Sequence, residues 1–166
     1  VGHRPVVTFR KTTEKDASLL IKWLKQKDVL KGFCMTTERE IQDAVRIWML
    51  YLKKGASITA IYKKEPCGAA NLYINDIDKM KHQSLFVIIV DEKRRGQGIG
   101  TLLIKEMMRM AKNQFNVELL HLEVYEDNPA YRLYKRLGFE EYARHHKYLK
   151  DERGIYYSKV LMQKAL

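Results

Sequence analysis

The run Leu85–Val90 followed by Asp91-Glu92-Lys93-Arg94-Arg95-Gly96-Gln97-Gly98-Ile99-Gly100 restricts this chain more than any other part of it. Six apolar residues in a row predict a strand covered on both faces, and so one in the middle of a sheet. Beyond the turn, Leu102, Leu103, Glu106, Met107 and Met110 recur at helical spacing. Strand, glycine-rich turn and helix in that order make an anion site. Glycines let backbone N–H groups converge without side-chain interference, and the helix start adds unpaired donors and a positive dipole end. Lys93, Arg94 and Arg95 add charge, so a diphosphate suits the loop. No Gly-Lys-Ser or Gly-Lys-Thr closes it, which removes the main support for nucleoside triphosphate hydrolysis. Its place past mid-chain argues against a dinucleotide fold, whose loop follows the first strand. Gly98 and Gly100 also admit a plainer reading, a tight strand-to-helix turn with no ligand.

The surrounding pattern is α/β. Val6–Arg10 reads as an opening strand. Thr13 caps a helix bearing Ala17, Leu20, Ile21 and Leu24, with Asp16 where a helix start favours negative charge. Gly32, Phe33, Cys34 and Met35 form a loop. Thr37 and Glu40 have capping-box spacing before a second amphipathic helix through Ile41, Ala44, Val45, Trp48, Met49 and Leu52, which ends at Lys54-Gly55. Ser57–Tyr62 and Cys67–Ile74 predict an antiparallel hairpin about a Lys-Lys-Glu-Pro turn. A further strand lies within Phe115–Val124. Pro129 opens a helix with the face Ala130, Leu133, Tyr134 and Leu137, which Gly138 stops. Phe139–Tyr148 and Ile155–Met162 close the chain as paired strands.

Length and composition bound the possibilities. With 166 residues, 46% of them apolar, one domain is expected. Apolar runs are too short to span a membrane and the N-terminus lacks a secretory pattern, so a soluble, cytoplasmic protein is expected. Cys34 and Cys67 have no closely spaced partner, and His3, His82, His121, His145 and His146 form no H-E-x-x-H motif, so no metal is expected. A net charge of +11 favours an anionic partner, either nucleic acid or a phosphorylated cofactor. The basic residues are interspersed with acids and no zinc-finger or RNP-type sequence accompanies them, which disfavours nucleic acid.

Arg95-x-x-Gly98-x-Gly100 resembles the coenzyme A pyrophosphate motif of the GNAT superfamily of N-acetyltransferases. Asn128-Pro129-Ala130 through Leu133-Tyr134 to Gly138-Phe139 resembles that family's second conserved segment. The two stand in the family's order, one helix and one strand apart, and the resemblance covers Ser57–Met162. It implies a GNAT-like fold: a central, twisted, mostly antiparallel sheet of six or seven strands, about four helices, and a splay between the fourth and fifth strands. It also implies one acetyltransferase domain over 1–166, with 16–52 a two-helix region on the acceptor side. Acetyl-CoA is the implied cosubstrate, entering where strand 85–90 parts from strand 117–124. Its pyrophosphate would rest on the segment Arg94, Arg95, Gly96, Gln97, Gly98, Ile99 and Gly100. Its pantetheine arm would pair with the backbone of Ile88, Ile89 and Val90, one of whose N–H groups polarises the thioester carbonyl.

Tyr134 matches the family's general acid, which protonates the departing thiolate; a packed aromatic on the face of Leu133 and Leu137 is the alternative. A tyrosine protonated at neutral pH needs no large shift to donate. Many relatives carry a glutamate at the start of the central strand, where His82-Gln83-Ser84-Leu85 offers none. Leu122-Glu123-Val124 resembles ribosomal-protein N-terminal acetyltransferases, whose glutamate here is a base acting directly or through water; a sheet-face acid paired with a neighbouring base is the alternative. The turn before Pro129 is one residue shorter than usual, so Asp127 and Asn128 compete for the family's asparagine role beside pantetheine, and Asn128 is equally suited to cap the helix. Lys135 and Arg136 follow Tyr134, either near coenzyme phosphates or as exposed helix charges.

On the acceptor side Phe33, Met35 and Glu38, with Asp28 and Trp23 near in sequence, form an aromatic and acidic set suited to a cationic amine. Trp48, at helical spacing with Val45 and Leu52, reads as core. The closing segment from Lys150 resembles the tail shared by ribosomal-protein and spermidine acetyltransferases. A strongly positive enzyme repels a polyamine, so a nucleotide-linked amino sugar or a protein N-terminus fits the charge better. The expected function is transfer of the acetyl group of acetyl-CoA to a primary amine, small or protein-borne, by direct attack through a tetrahedral intermediate. A catalytically silent coenzyme A-binding module is the second reading and a basic nucleic-acid-binding domain the third. The C-terminal surface strands leave a homodimer open.

Overall fold

The computed structural model describes residues 5–166, so His3 lies outside the described residues. Its strands are β1 (Val7–Lys11), β2 (Ser57–Tyr62), β3 (Glu65–Tyr73), β4 (Gln83–Val90), β5 (Leu119–Tyr125), β6 (Glu140–Lys150) and β7 (Tyr156–Ala165), joined in one sheet of order β1-β2-β3-β4-β5-β7-β6. The apolar run 85–90 thus falls in the fourth position of seven, as a strand covered on both faces should. Helices α1 (Ala17–Leu24), α2 (Lys27–Leu30) and α3 (Glu38–Met49) cover the front of the sheet; α4 (Ile99–Phe115) and α5 (Ala130–Arg136) cover the back. Among the described residues no helix is long and apolar enough to cross a membrane.

Local chemistry accounts for most boundaries. Glu40 N–H donates to Thr37 Oγ1 at 3.2 Å while Thr37 N–H donates to Glu40 Oε2 at 3.0 Å, the reciprocal capping box that the spacing predicts for α3. Thr13 N–H donates to Asp16 Oδ2 at 2.8 Å, and the chain takes one 3-10 turn over Glu14–Asp16 before α1. The fifth helix beyond the four expected is α2, a single turn between α1 and the Gly32 loop, fixed by the burial of Val29. On the back, Leu103, Ile104 and Met107 of α4 are fully buried, each contributing roughly 1.5–3 kcal/mol. On the front, Trp48 is core: its indole N–H donates to Ser57 Oγ at 2.7 Å.

Two backbone features shape the sheet near β4. A Cβ on Gly68 would lie 2.7 Å from the carbonyl oxygen of Ile89, so glycine is what lets β3 approach β4 this closely. The β2–β3 connection is a two-residue turn with Lys63 and Lys64 at φ 49° and 67°, both in the left-handed region.

All strand pairs are antiparallel except β4–β5. That pair is parallel and joined only through Gln83–Leu119, Ser84–Leu120 and Leu85–His121, after which the strands part. Phe86, the next residue, packs against Tyr134 and Phe139, with ring centroids 5.5–6.0 Å apart in the trio. From Phe86 to Val90, β4 therefore keeps β3 on one side and has no strand on the other.

Candidate active site

The fork between β4 and β5 opens a cavity of about 700 Å³. Phe86–Val90 form one wall and Leu122–Val124 the other; Arg95, Gly96, Gly98, Ile99, Gly100 and Thr101 lie at one end, and Asp28, Lys31, Gly32 and Phe33 come from the front. Asp127, Asn128, Leu133, Tyr134 and Arg136 complete it.

The glycine loop is held from outside. Gln26 on the front side donates its side-chain N–H to Asp91 Oδ1 at 2.8 Å and accepts from Glu92 N–H at 3.0 Å. Arg95 donates to the carbonyl of Asp28 at 3.1 Å. Gly96 and Gly98 adopt φ of 73° and 81° and line the cavity, and a Cβ at either would meet nothing within 4 Å, so the loop is open at the start of a 17-residue helix. A helix N-terminus, unobstructed glycines and Arg95 together suit an anion such as a diphosphate. Arg94 turns the other way: its guanidinium sits 5.2 Å from the Tyr62 ring and 3.6 Å from Glu65. Gln97 is exposed and does not line the cavity.

Tyr134 is buried edge-on between Phe86 and Phe139, and that burial pushes its hydroxyl above the ordinary tyrosine range. It is a neutral proton donor at any physiological pH. Across the fork Glu123 faces the cavity with Lys159 Nζ 3.3 Å from its Oε2. His121, on the same face two residues earlier, bonds to Gln83, and burial lowers its pKa, which favours the neutral ring. Asn128 lines the cavity and also caps α5, its Oδ1 accepting from Ala130 N–H at 2.9 Å. Lys135 lies outside the cavity with its ammonium 5.6 Å from the Tyr131 ring, whereas Arg136 lines it. Of the acceptor-side residues Phe33 reaches the cavity, Met35 packs into the front core, and Glu38 is exposed and paired with Lys25 at 2.7 Å.

Sequence reasoning missed Gln26, Lys31, Thr101, His121 and Lys159. Thr101 directly follows the glycine motif; Gln26, Lys31 and Lys159 come to the site only through tertiary pairing, and His121 lines a second pocket beside Gln83 and Leu85.

The acetyltransferase (GNAT) family model matches residues 21–139. The chain is 32% identical over 74 residues to the L-amino acid N-acetyltransferase AaaT of Escherichia coli K12, covering 44% of this chain and 46% of that protein. It is 47% identical over 55 residues to an N-alpha-acetyltransferase of Sulfurisphaera tokodaii, covering 32% of this chain and 33% of the relative. These matches span less than half of either relative. In fold the chain is similar to the ribosomal-protein-alanine N-acetyltransferase of Brucella melitensis, with a TM-score of 0.81, 22% identity, and coverage of 96% of this chain and 99% of that one. It is also similar to yncA of Salmonella typhimurium, solved with acetyl-CoA, with a TM-score of 0.79, 17% identity, and coverage of 96% and 94%. With a forked sheet, an open glycine loop at the head of α4 and a family model that matches most of its length, the chain belongs to the acetyltransferase (GNAT) family.

Proposed function

We propose that this chain transfers the acetyl group of acetyl-CoA to the nitrogen of an amine. The observation that carries the reading is the convergence on one cavity of the open glycine loop, the buried Tyr134 hydroxyl and the Glu123 carboxylate. The names of the relatives point to an α-amino nitrogen, since they are an L-amino acid N-acetyltransferase, an N-alpha-acetyltransferase and a ribosomal-protein-alanine N-acetyltransferase.

When bound, acetyl-CoA supplies the activated acyl group. The amides of Arg95–Gly100 hold its diphosphate, and the free N–H groups of Phe86–Val90 align the arm and polarise the carbonyl under attack. Glu123, directly or through water, takes the proton that the amine loses as its nitrogen bonds to the acyl carbon. Tyr134 gives its proton to the sulfur as the carbon–sulfur bond breaks, and recovers one from solvent.

Thiol release from acetyl-CoA against a panel of amines tests this. Tyr134→Phe should lower kcat about 100-fold, the scale of a lost general acid, with acetyl-CoA affinity retained. Failure to bind acetyl-CoA would sink the reading. Tight binding without transfer to any amine would favour a silent coenzyme A-binding module.

A further inference from the structure

The ion pair beside the cavity is incomplete for the chemistry just described. Lys159 on β7 holds its ammonium 3.3 Å from Glu123 Oε2 and 3.8 Å from the ring centre of Tyr148, with 13% of its side chain exposed. The register sets Tyr125 opposite Lys159 and Glu123 opposite Leu161, so the pair is a diagonal contact across neighbouring strands. Tyr125 stacks on Tyr148 at 6.5 Å, and His145 pairs with Lys159 from β6. Among the described residues Glu123 is the carboxylate within 4 Å of this ammonium.

Such a pair is neutral only while Glu123 is ionised. Once Glu123 takes a proton from the acceptor, a mostly buried ammonium is left without a counter-ion, and that state is costly. An acceptor that brings its own carboxylate removes this difficulty. In an α-amino acid the ammonium and the carboxylate sit on one carbon, at a separation comparable to that of the Glu123–Lys159 pair. The zwitterion then lies head-to-tail against the pair, amine on Glu123 and carboxylate on Lys159. Lys159 follows the incoming carboxylate, Glu123 is released to take the amine proton, and the buried ammonium stays paired throughout.

We propose that Lys159 binds the acceptor's carboxylate, and that the acceptor is a free α-amino acid rather than a peptide N-terminus or a polyamine. This rests on the acetyl-transfer reading above. The test uses the unmodified chain with acetyl-CoA and, for a set of L-amino acids, three acceptors each: the amino acid, its carboxamide, and the amine lacking the carboxyl group. The amino acid should lead the other two in kcat/KM by about 10- to 100-fold, the worth of one hydrogen bond between charged groups. Lys159→Met should bring that ratio close to one, and Lys159→Arg should keep it above one, with melting curves checking that both variants fold. Equal rates, or a preference for the amide, in the unmodified chain overturn the Lys159 assignment while leaving acetyl transfer intact. No transfer to any of these amines or to the wider panel overturns both.

Discussion

Gly68 and Gln26 set the shape of the cavity although neither reaches it. Because a Cβ on Gly68 would meet the Ile89 carbonyl at 2.7 Å and Val90 Cα at 3.4 Å, Gly68→Ala should push β4 toward the fork. Overpacking against backbone costs about 2 kcal/mol, which for a chain of this length lowers the melting temperature by about 4–8 °C. Weaker acetyl-CoA binding should accompany it, since Ile89 and Val90 line the cavity. An unchanged melting curve would show that β3 gives way instead. Tyr134 and Glu123 were legible because each stands inside a local string. Gln26 was not: its partners Asp91 and Glu92 lie 65 and 66 residues away, and a glutamine carries no pattern of its own. Lys159 was equally hidden, since its meeting with Glu123 depends on the register of β5 and β7, and strand periodicity predicts faces but not partners.

Among the elements, those with both a cap and a periodic face were readable and those made by context were not. The Thr37 box and the spacing of Ile41, Val45 and Trp48 predict the start and face of α3, but the helix ends at Met49 and Leu52–Lys54 forms a separate 3-10 turn before Gly55, where one continuous helix through Leu52 was expected. α2 has four residues, too few for any period, and exists because Val29 is buried under the front helices. The turn between β2 and β3 was legible as a turn but not as a type. Two lysines occupy left-handed positions where asparagine and glycine are preferred. Exchanging them, Lys63→Asn with Lys64→Gly, should stabilise the fold by about 0.5–1 kcal/mol, because left-handed backbone costs roughly 1–2 kcal/mol per ordinary residue and glycine returns part of that as entropy. A denaturant midpoint that moves down would mean that Lys63 over the Tyr62 ring, at 5.3 Å, contributes more than the strain.

For the whole molecule, the pattern of residues made the central strand and the helices and hairpins around it legible, whereas the mostly antiparallel sheet and its splay came from the resemblance to the family, and the exchange of β7 and β6 in the strand order was not foreseen. The edges differ in how they are protected. β6 is an outer strand with nearly every residue exposed, and irregularities near Glu141 and between His145 and Leu149 interrupt its register, which blunts pairing with other chains. The inner gap at the fork has no such protection, because β4 ends with a row of peptide groups facing the cavity. On the proposed function the arm of acetyl-CoA bonds to that row. Saturating acetyl-CoA should then slow amide hydrogen exchange across Phe86–Val90 more than in β1 or β6, and uniform protection would count against it. A ligand that completes the sheet also shares in its stability: at one hundred times its dissociation constant it adds about 2.7 kcal/mol to the folded state. On that function the protein's half-life among cellular proteases would be tied to the acetyl-CoA pool, and a metabolically depleted cell would hold less of this chain as well as less of its substrate.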